Sequence, residues 1–383
     1  MLINFFLTLR KFCDTIKGNV IIKFGDEIME LKITKNTAPK AKVPANELRF
    51  GTTFTDHMFI MKHSSENGWH DAQIVPYGPI SLDPSAMVFH YAQEIFEGLK
   101  AYRTSEDGEI YLFRPEKNFE RMNLSCDRMC IPRFDGEEVL DALEQLIKID
   151  SSWIPTAPGT SLYIRPFIIA IDKQVGVHPS HEYLFIIILS PVGSYFKEGL
   201  KPVKIYVETD YTRAARGGTG MAKCGGNYAA SLIGQQKAEK LQYSQVLWLD
   251  GQEHKYVEEV GAMNVFFKIN GTIVTPSLDG SILPGITRRS VLELLRHKGY
   301  KVEERMHPID ELMEAANSGA LEEAWGTGTA AVISPIGELN RDGNICVINN
   351  NAIGPVSQML YDELTGIQWG LKDDPFGWRR IVK

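Results

Sequence analysis

Nowhere does the 383-residue chain approach the roughly 18 consecutive apolar residues that a membrane-spanning helix needs, so no membrane helix is expected. Positive charge is also short: 41 Lys and Arg stand against 48 Asp and Glu, a formal net charge of −7. A basic stripe able to neutralise nucleic-acid phosphates needs the opposite balance, so no nucleic-acid partner is expected. Cysteine is scarce, with Cys13, Cys126, Cys130, Cys224 and Cys346 scattered and odd in number. That pattern excludes a disulfide framework and fits a reducing compartment, the cytoplasm. Cys126 and Cys130 lie four apart, on one face of a helix, but no nearby histidine completes a metal set. They are read as buried thiols, and no metal is expected. Internal repeats and low-complexity tracts are absent as well.

The N-terminus, "MLINFFLTLRKFCDTIKG", is apolar first and basic only from Arg10 and Lys11, the reverse of a secretory signal. Asp14, Asp26 and Glu27 weigh against a transit peptide. Residues 1–32 are read as an extension that is disordered or not native, with Met29 an alternative beginning.

What is present is enough apolar sequence, 44% of residues, for two cores. The expectation is a mixed α/β protein with a smaller domain over 33–189, a Gly/Pro/Ser-rich linker over 190–202 and a larger domain over 203–383. In the first, Asp107-Gly108 separates two strand-like runs, and "GEEVLDALEQLIKI" places Val139, Leu140, Leu143, Leu146 and Ile147 on one side of a helix. "SLYIRPFIIAI" and "EYLFIIILS" read as buried strands. In the second, Asn270-Gly271 closes a hairpin, and helices are expected at "TRRSVLELLRHKG" and "PIDELMEAANSG".

The stretch "ARGGTGMAKCGGNYAASL" sets Lys223 between two glycine pairs. A nucleotide-binding P-loop requires glycine before its lysine and a hydroxyl residue after it. Here Ala222 and Cys224 occupy those places, and the match fails. Downstream, "YVEEVGAMNVFF" sets Glu258 and Glu259 in a strand-like run, so one of the two should face inward and need a cation. Gly285-Ile286-Thr287 opens a helix, where free amides suit an anion. A second Gly/Thr turn spans 326–329. A lysine, an inward acid and two anion-ready turns together suggest a phosphorylated aromatic cofactor.

Over most of its length from Arg49, the chain resembles the fold-type IV pyridoxal-phosphate enzymes, specifically the branched-chain amino-acid aminotransferases. The resemblance is carried by "FEGLKAYR", "YIRP", "KCGGNYAAS", "EEVGAMN", "LPGITRRS" and "GTGTAA". It implies a two-domain fold-type IV architecture and pyridoxal 5'-phosphate as cofactor. Lys223 would be the Schiff-base lysine and proton shuttle, a role that requires a neutral amine and is favoured by desolvation. Glu259 matches the acid that pairs with the pyridinium nitrogen and so keeps the ring an electron sink. Tyr228 matches the partner of the phenolic oxygen. Arg121, Ile286, Thr287 and Thr329 match the phosphate cup. Arg213 matches a further arginine of the cofactor site, with a surface arginine as its alternative.

For substrate, the resemblance implies that Thr329-Ala330 and Tyr91 hold the α-carboxylate, inside a ring-lined pocket of Phe50, Phe96, Tyr163 and Tyr228. Such a pocket selects leucine, isoleucine and valine by burial, at about 0.8 kcal/mol per CH₂. Arg165 would meet the γ-carboxylate of glutamate, its alternative being a structural ion pair. Val175 and Val177 match residues given to the partner subunit's pocket, which implies a homodimer or higher homo-oligomer, and Tyr195 matches a shielding loop. Mammalian members carry a Cys-x-x-Cys pair where this chain has Ala331 and Ser334, so no such thiol switch is expected. The implied reaction is transamination between branched-chain amino acids and 2-oxoglutarate. A D-amino-acid aminotransferase or aminodeoxychorismate lyase of the same fold, or a non-covalent phosphate- or nucleotide-binding protein, are the alternatives.

Overall fold

The structure, a computed structural model, describes residues 15–16, 19–24, 27–195 and 199–383, with side chains from Glu30 onward. Most of the N-terminal extension lies outside the described side chains. The strand Glu27–Ile33 nonetheless pairs in parallel with Gly68–Pro76, and Leu31 is fully buried in the first core. The sheet therefore begins before the expected boundary at 33.

Two sheets organise the chain. The first is eleven-stranded, and its middle is the antiparallel pair Ser161–Ala170 and Tyr183–Val192. Alternation puts Phe185, Ile187 and Leu189 on one face, where they meet Phe119 and Met122 of the helix Pro115–Arg128 and Leu140 and Leu143 of Gly136–Ile149. The second helix starts where Asp135 accepts from the amides of Glu137 and Glu138. Ser190, Pro191 and Val192 still pair with Tyr163, Leu162 and Ser161, so the connection between sheets starts after Val192, later than the sequence suggested.

The second sheet is nine-stranded, and six of its strands close on themselves: Val203–Val207, Gln245–Leu249, Val257–Val260, Met263–Ile269, Leu321–Gly328 and Val332–Arg341. The ring encloses an apolar core of Ile205, Leu247, Val265, Phe267 and Leu339. Asn270 and Gly271 turn the next hairpin at φ 46° and 75°, the left-handed pair a two-residue turn requires. The last strand, Arg379–Ile381, crosses back to pair with Tyr111–Phe113 of the first sheet.

Lys223 ends the irregular segment that follows Val203–Val207 of the second sheet, just before the helix Gly225–Lys240. Its N–H donates to the Ser125 hydroxyl at 3.0 Å, and its carbonyl accepts from the Phe96 N–H at 2.9 Å. Both partners belong to the first sheet's side, so the lysine is pinned at the junction.

Candidate active site

At that junction lies a cavity of about 210 Å³ lined by Phe96, Gly98, Tyr163, Arg165, Tyr195, Lys223, Tyr228, Gln245, Ala262, Met263 and residues 328–331. The Lys223 ammonium donates to the Tyr228 hydroxyl at 2.7 Å and sits 4.8 Å from the centre of the Phe96 ring. A Cβ at Gly98 would collide with the Tyr163 hydroxyl, so only glycine leaves this wall open.

Behind the lysine, Glu259 is buried and takes an ion pair from Arg213 together with a hydrogen bond from Asn264 Nδ2 at 3.0 Å. Burial pushes the Glu259 carboxyl up, with Arg213 and Lys223 pulling against it. Arg213 is itself buried, which removes the surface-arginine alternative. Of Glu258 and Glu259, one of which was expected to face inward, both are buried. They do point to opposite sides of the strand: Glu258 turns away to accept from the Ser281 hydroxyl at 2.5 Å, and burial pushes its carboxyl up to about 7.

A second group gathers at the start of the helix Ile286–His297, capped by Gly285. Arg121 is buried, held two-pronged by Glu97, and its Nη1 donates to the Pro284 carbonyl at 3.2 Å. This places a guanidinium at the helix's first turn. The amides of Ile286 and Thr287 there have no protein acceptor among the described residues. Nearby, Thr329 donates its hydroxyl proton to the Gly98 carbonyl at 3.2 Å. The amides of Thr329, Ala330 and Ala331 likewise lack a protein acceptor among the described residues. Two runs of free amides, one beside a buried arginine, are seats for anions.

Arg165 donates to the Tyr163 hydroxyl at 2.9 Å, stacks 4.7 Å from Phe96 and leaves Nε unpartnered. No carboxylate pairs with it among the described residues, so the structural ion pair is not formed. Phe50 is half exposed and meets Tyr163 edge-on at 4.8 Å, at the rim. Tyr195 lies on the cavity wall, on the connection between the two sheets.

Tyr91 is not brought to this cavity, and Val175 and Val177, expected in the partner subunit's pocket, lie outside it. The Tyr91 hydroxyl donates to the Val175 carbonyl instead of facing Thr329-Ala330. Val175 and Val177 are 66% and 82% exposed on the loop after Ser161–Ala170. Tyr91 and Val175 thus meet outside the cavity lining. Cys130, expected to be buried beside Cys126, is exposed, because the chain leaves its helix at Arg128 and Cys130 takes φ 54°.

Glu97 and Lys100, both inside "FEGLKAYR", were not singled out from sequence, nor were Asn264, Gln245 and Met263. A signal for the first two existed: charged residues in an apolar strand-like run, the same cue that drew attention to Glu259.

The profile of the amino-transferase class IV family matches residues 94–339, and the chain belongs to that family. It is 59% identical over 352 residues to "Branched-chain-amino-acid aminotransferase 2" of Bacillus subtilis (strain 168), an alignment covering 92% of this chain and 97% of the relative. The solved branched-chain amino acid aminotransferase of Escherichia coli superposes with a TM-score of 0.72 at 27% identity, over 86% of this chain and 99% of that one. A T.th. branched-chain amino acid aminotransferase, solved in complex with N-(5'-phosphopyridoxyl)-L-glutamate, superposes with a TM-score of 0.68 at 25% identity, over 85% of this chain and 98% of that one.

Proposed function

We propose that the protein is a branched-chain-amino-acid aminotransferase, moving the amino group of L-leucine, L-isoleucine or L-valine to 2-oxoglutarate and so forming branched 2-oxo acids and L-glutamate. The observation that carries this reading is the cavity itself. One lysine amine meets aromatic walls there, with free amides on one side and an unpaired arginine on the other.

The cofactor is pyridoxal 5'-phosphate, and the residues fit it. Arg121 and the Ile286 and Thr287 amides would hold its phosphate. Glu259 would face its ring nitrogen, and Tyr228 its phenolic oxygen. When bound, it supplies an aldehyde carbon and an electron sink for the pair left at the substrate Cα. The chain supplies the rest. Lys223 would carry the proton between the substrate Cα and the cofactor's aldehyde-derived carbon, and Tyr228 would hold the amine in place between those transfers. The amides of residues 329–331 seat the α-carboxylate, and Phe96, Tyr163 and Tyr228 strip water from the branched side chain. Arg165 receives the γ-carboxylate when 2-oxoglutarate takes the amino acid's place. Two different substrates thus share one cavity because the arginine lies beside rings, where an apolar chain can also lie.

The exposed Val175 and Val177 support a homodimer in which each subunit covers the other's cavity. No described helix is long and apolar enough to cross a membrane, and the scattered thiols support a cytoplasmic setting. Glutamate formation from 2-oxoglutarate with L-leucine, L-isoleucine, L-valine and D-leucine in turn tests the proposal. The three L-amino acids should serve and D-leucine should not; turnover of D-leucine alone would replace this reading with a D-amino-acid aminotransferase.

A further inference from the structure

Lys100 lies in the strand Leu99–Tyr102, between Leu99 and Ala101, and is buried. Its ammonium donates to the carbonyl of Ala330 at 2.9 Å, across the junction between the two sheets. Burial pushes that ammonium down to about 8, with no carboxylate among the described residues pulling the other way. The contrast with its neighbours is informative. Arg121 is matched by Glu97, and Arg213 by Glu259. Lys100 has no such acid, whereas the half-buried Arg165 at least feels the attraction of Glu94, and burying an unmatched cation is costly unless an anion joins it.

The geometry of one peptide group tells which anion. A trans peptide is planar, and its C=O and N–H point in opposite directions; no cis bond occurs among the described residues. By holding the Ala330 carbonyl, Lys100 turns the Ala331 N–H, the other end of that peptide, away from itself. Residues 329–331 line the cavity, and their amides have no protein acceptor among the described residues.

We propose that Lys100 is the positioning residue of the α-carboxylate seat. It fixes and polarises the Ala330–Ala331 peptide so that the Ala331 amide donates to the carboxylate, and its charge acts through the turn on the same group. The claim rests on the aminotransferase reading above. Leucine, its oxo acid, glutamate and 2-oxoglutarate all carry an α-carboxylate, so one lysine serves both halves of the reaction. Arg165 and Lys100 then stand one apiece for the two carboxylates of glutamate.

The test uses the holoenzyme and Lys100→Met, which keeps the stem but removes the charge and the donor. Two probes divide leucine between them: isocaproate, which lacks its amino group, and isoamylamine, which lacks its carboxylate. Binding of each is followed by the change in the visible absorption of the lysine-bound cofactor. The variant should keep that absorption and bind isoamylamine as the wild type does. It should bind isocaproate roughly 10- to 100-fold more weakly, the loss of a charge-assisted contact. KM for leucine and for 2-oxoglutarate should rise in parallel, and kcat should change less. Equal weakening of both probes, or unchanged isocaproate binding, overturns the assignment. A wild-type enzyme that responds to neither probe nor to leucine overturns the function reading beneath it, and that outcome is read without any variant.

Discussion

The Arg121 guanidinium lies two-pronged on the Glu97 carboxylate, Nε 2.7 Å from one oxygen and Nη2 2.8 Å from the other. Asn118 and the Gly98 amide donate to the same carboxylate at 2.8 and 3.1 Å. Burial pushes the Glu97 carboxyl up, but Arg121, Lys223 and Asn118 together outweigh it and hold it below its ordinary value. The pair aims an arginine at the start of the helix Ile286–His297, where the cofactor phosphate is proposed to sit. Glu97→Gln leaves that guanidinium buried and unmatched, a loss of about 3–5 kcal/mol. The cofactor phosphate replaces part of the missing charge. Denaturant unfolding should therefore show a large loss in the apoenzyme and a smaller one in the holoenzyme; equal losses would place the phosphate elsewhere.

Arg165 separates the two substrates. Arg165→Met should raise KM for 2-oxoglutarate and glutamate by roughly 10- to 100-fold, since a charge-assisted contact is lost. KM for leucine should move by no more than about threefold, because an apolar stem still faces the side chain. Steady-state kinetics with each substrate varied decides this, and a parallel rise in both constants would refute the division of labour.

Glu258 gives a pH signature of its own. Its carboxyl is raised from 4.5 to about 7, so the folded state binds the proton more tightly than the unfolded chain does. That contribution is fully present below about pH 4.5 and is lost as pH rises through about 7. Its size is at most about 3 kcal/mol, at about 1.4 kcal/mol for each tenfold change in proton affinity. Glu258→Gln keeps the hydrogen bond to Ser281 without the titration. Unfolding free energies at pH 5 and pH 8 should diverge between the two proteins, with the variant gaining relative to the wild type at the higher pH. A constant difference would mean that Glu258 stays ionised throughout.

Val177 is 82% exposed, yet it belongs by resemblance to a neighbour's pocket. Val177→Asp should raise KM for leucine about tenfold by setting a charge against an apolar side chain, while leaving cofactor absorption and monomer stability unchanged. An unaltered KM in a protein that sediments as a dimer would remove Val177 from the partner's site.

Local pattern made several parts of the fold legible. The apolar stripe of Gly136–Ile149 and the Asn270-Gly271 turn are short-range signals, and both elements lie where the sequence placed them. The helix Gly225–Lys240 was hidden. It leaves Leu232 and Ile233 exposed and buries little beyond Asn227, Gly234 and Ala238, so no apolar stripe marks it, and its glycine-rich start reads as loop. Closure of the second sheet and the return of Arg379–Ile381 to the first are long-range pairings that no local window contains. Lys223 and Glu259 stood out as charged residues in unlikely settings. Lys100 was equally out of place between Leu99 and Ala101, but its partner is a backbone carbonyl 230 positions away, which the sequence cannot display. Tyr91 missed the cavity for a related reason: its hydroxyl is taken by the Val175 loop.

The central claim is that Lys223 carries the cofactor and that L-leucine reacts there. It is tested most directly by the visible absorption of the purified protein with pyridoxal phosphate, before and after L-leucine, beside Lys223→Ala. The wild type should show a lysine-bound band that disappears with L-leucine and returns with 2-oxoglutarate, and the variant should show neither change. A band indifferent to L-leucine, or one that persists and responds in the variant, would contradict the account.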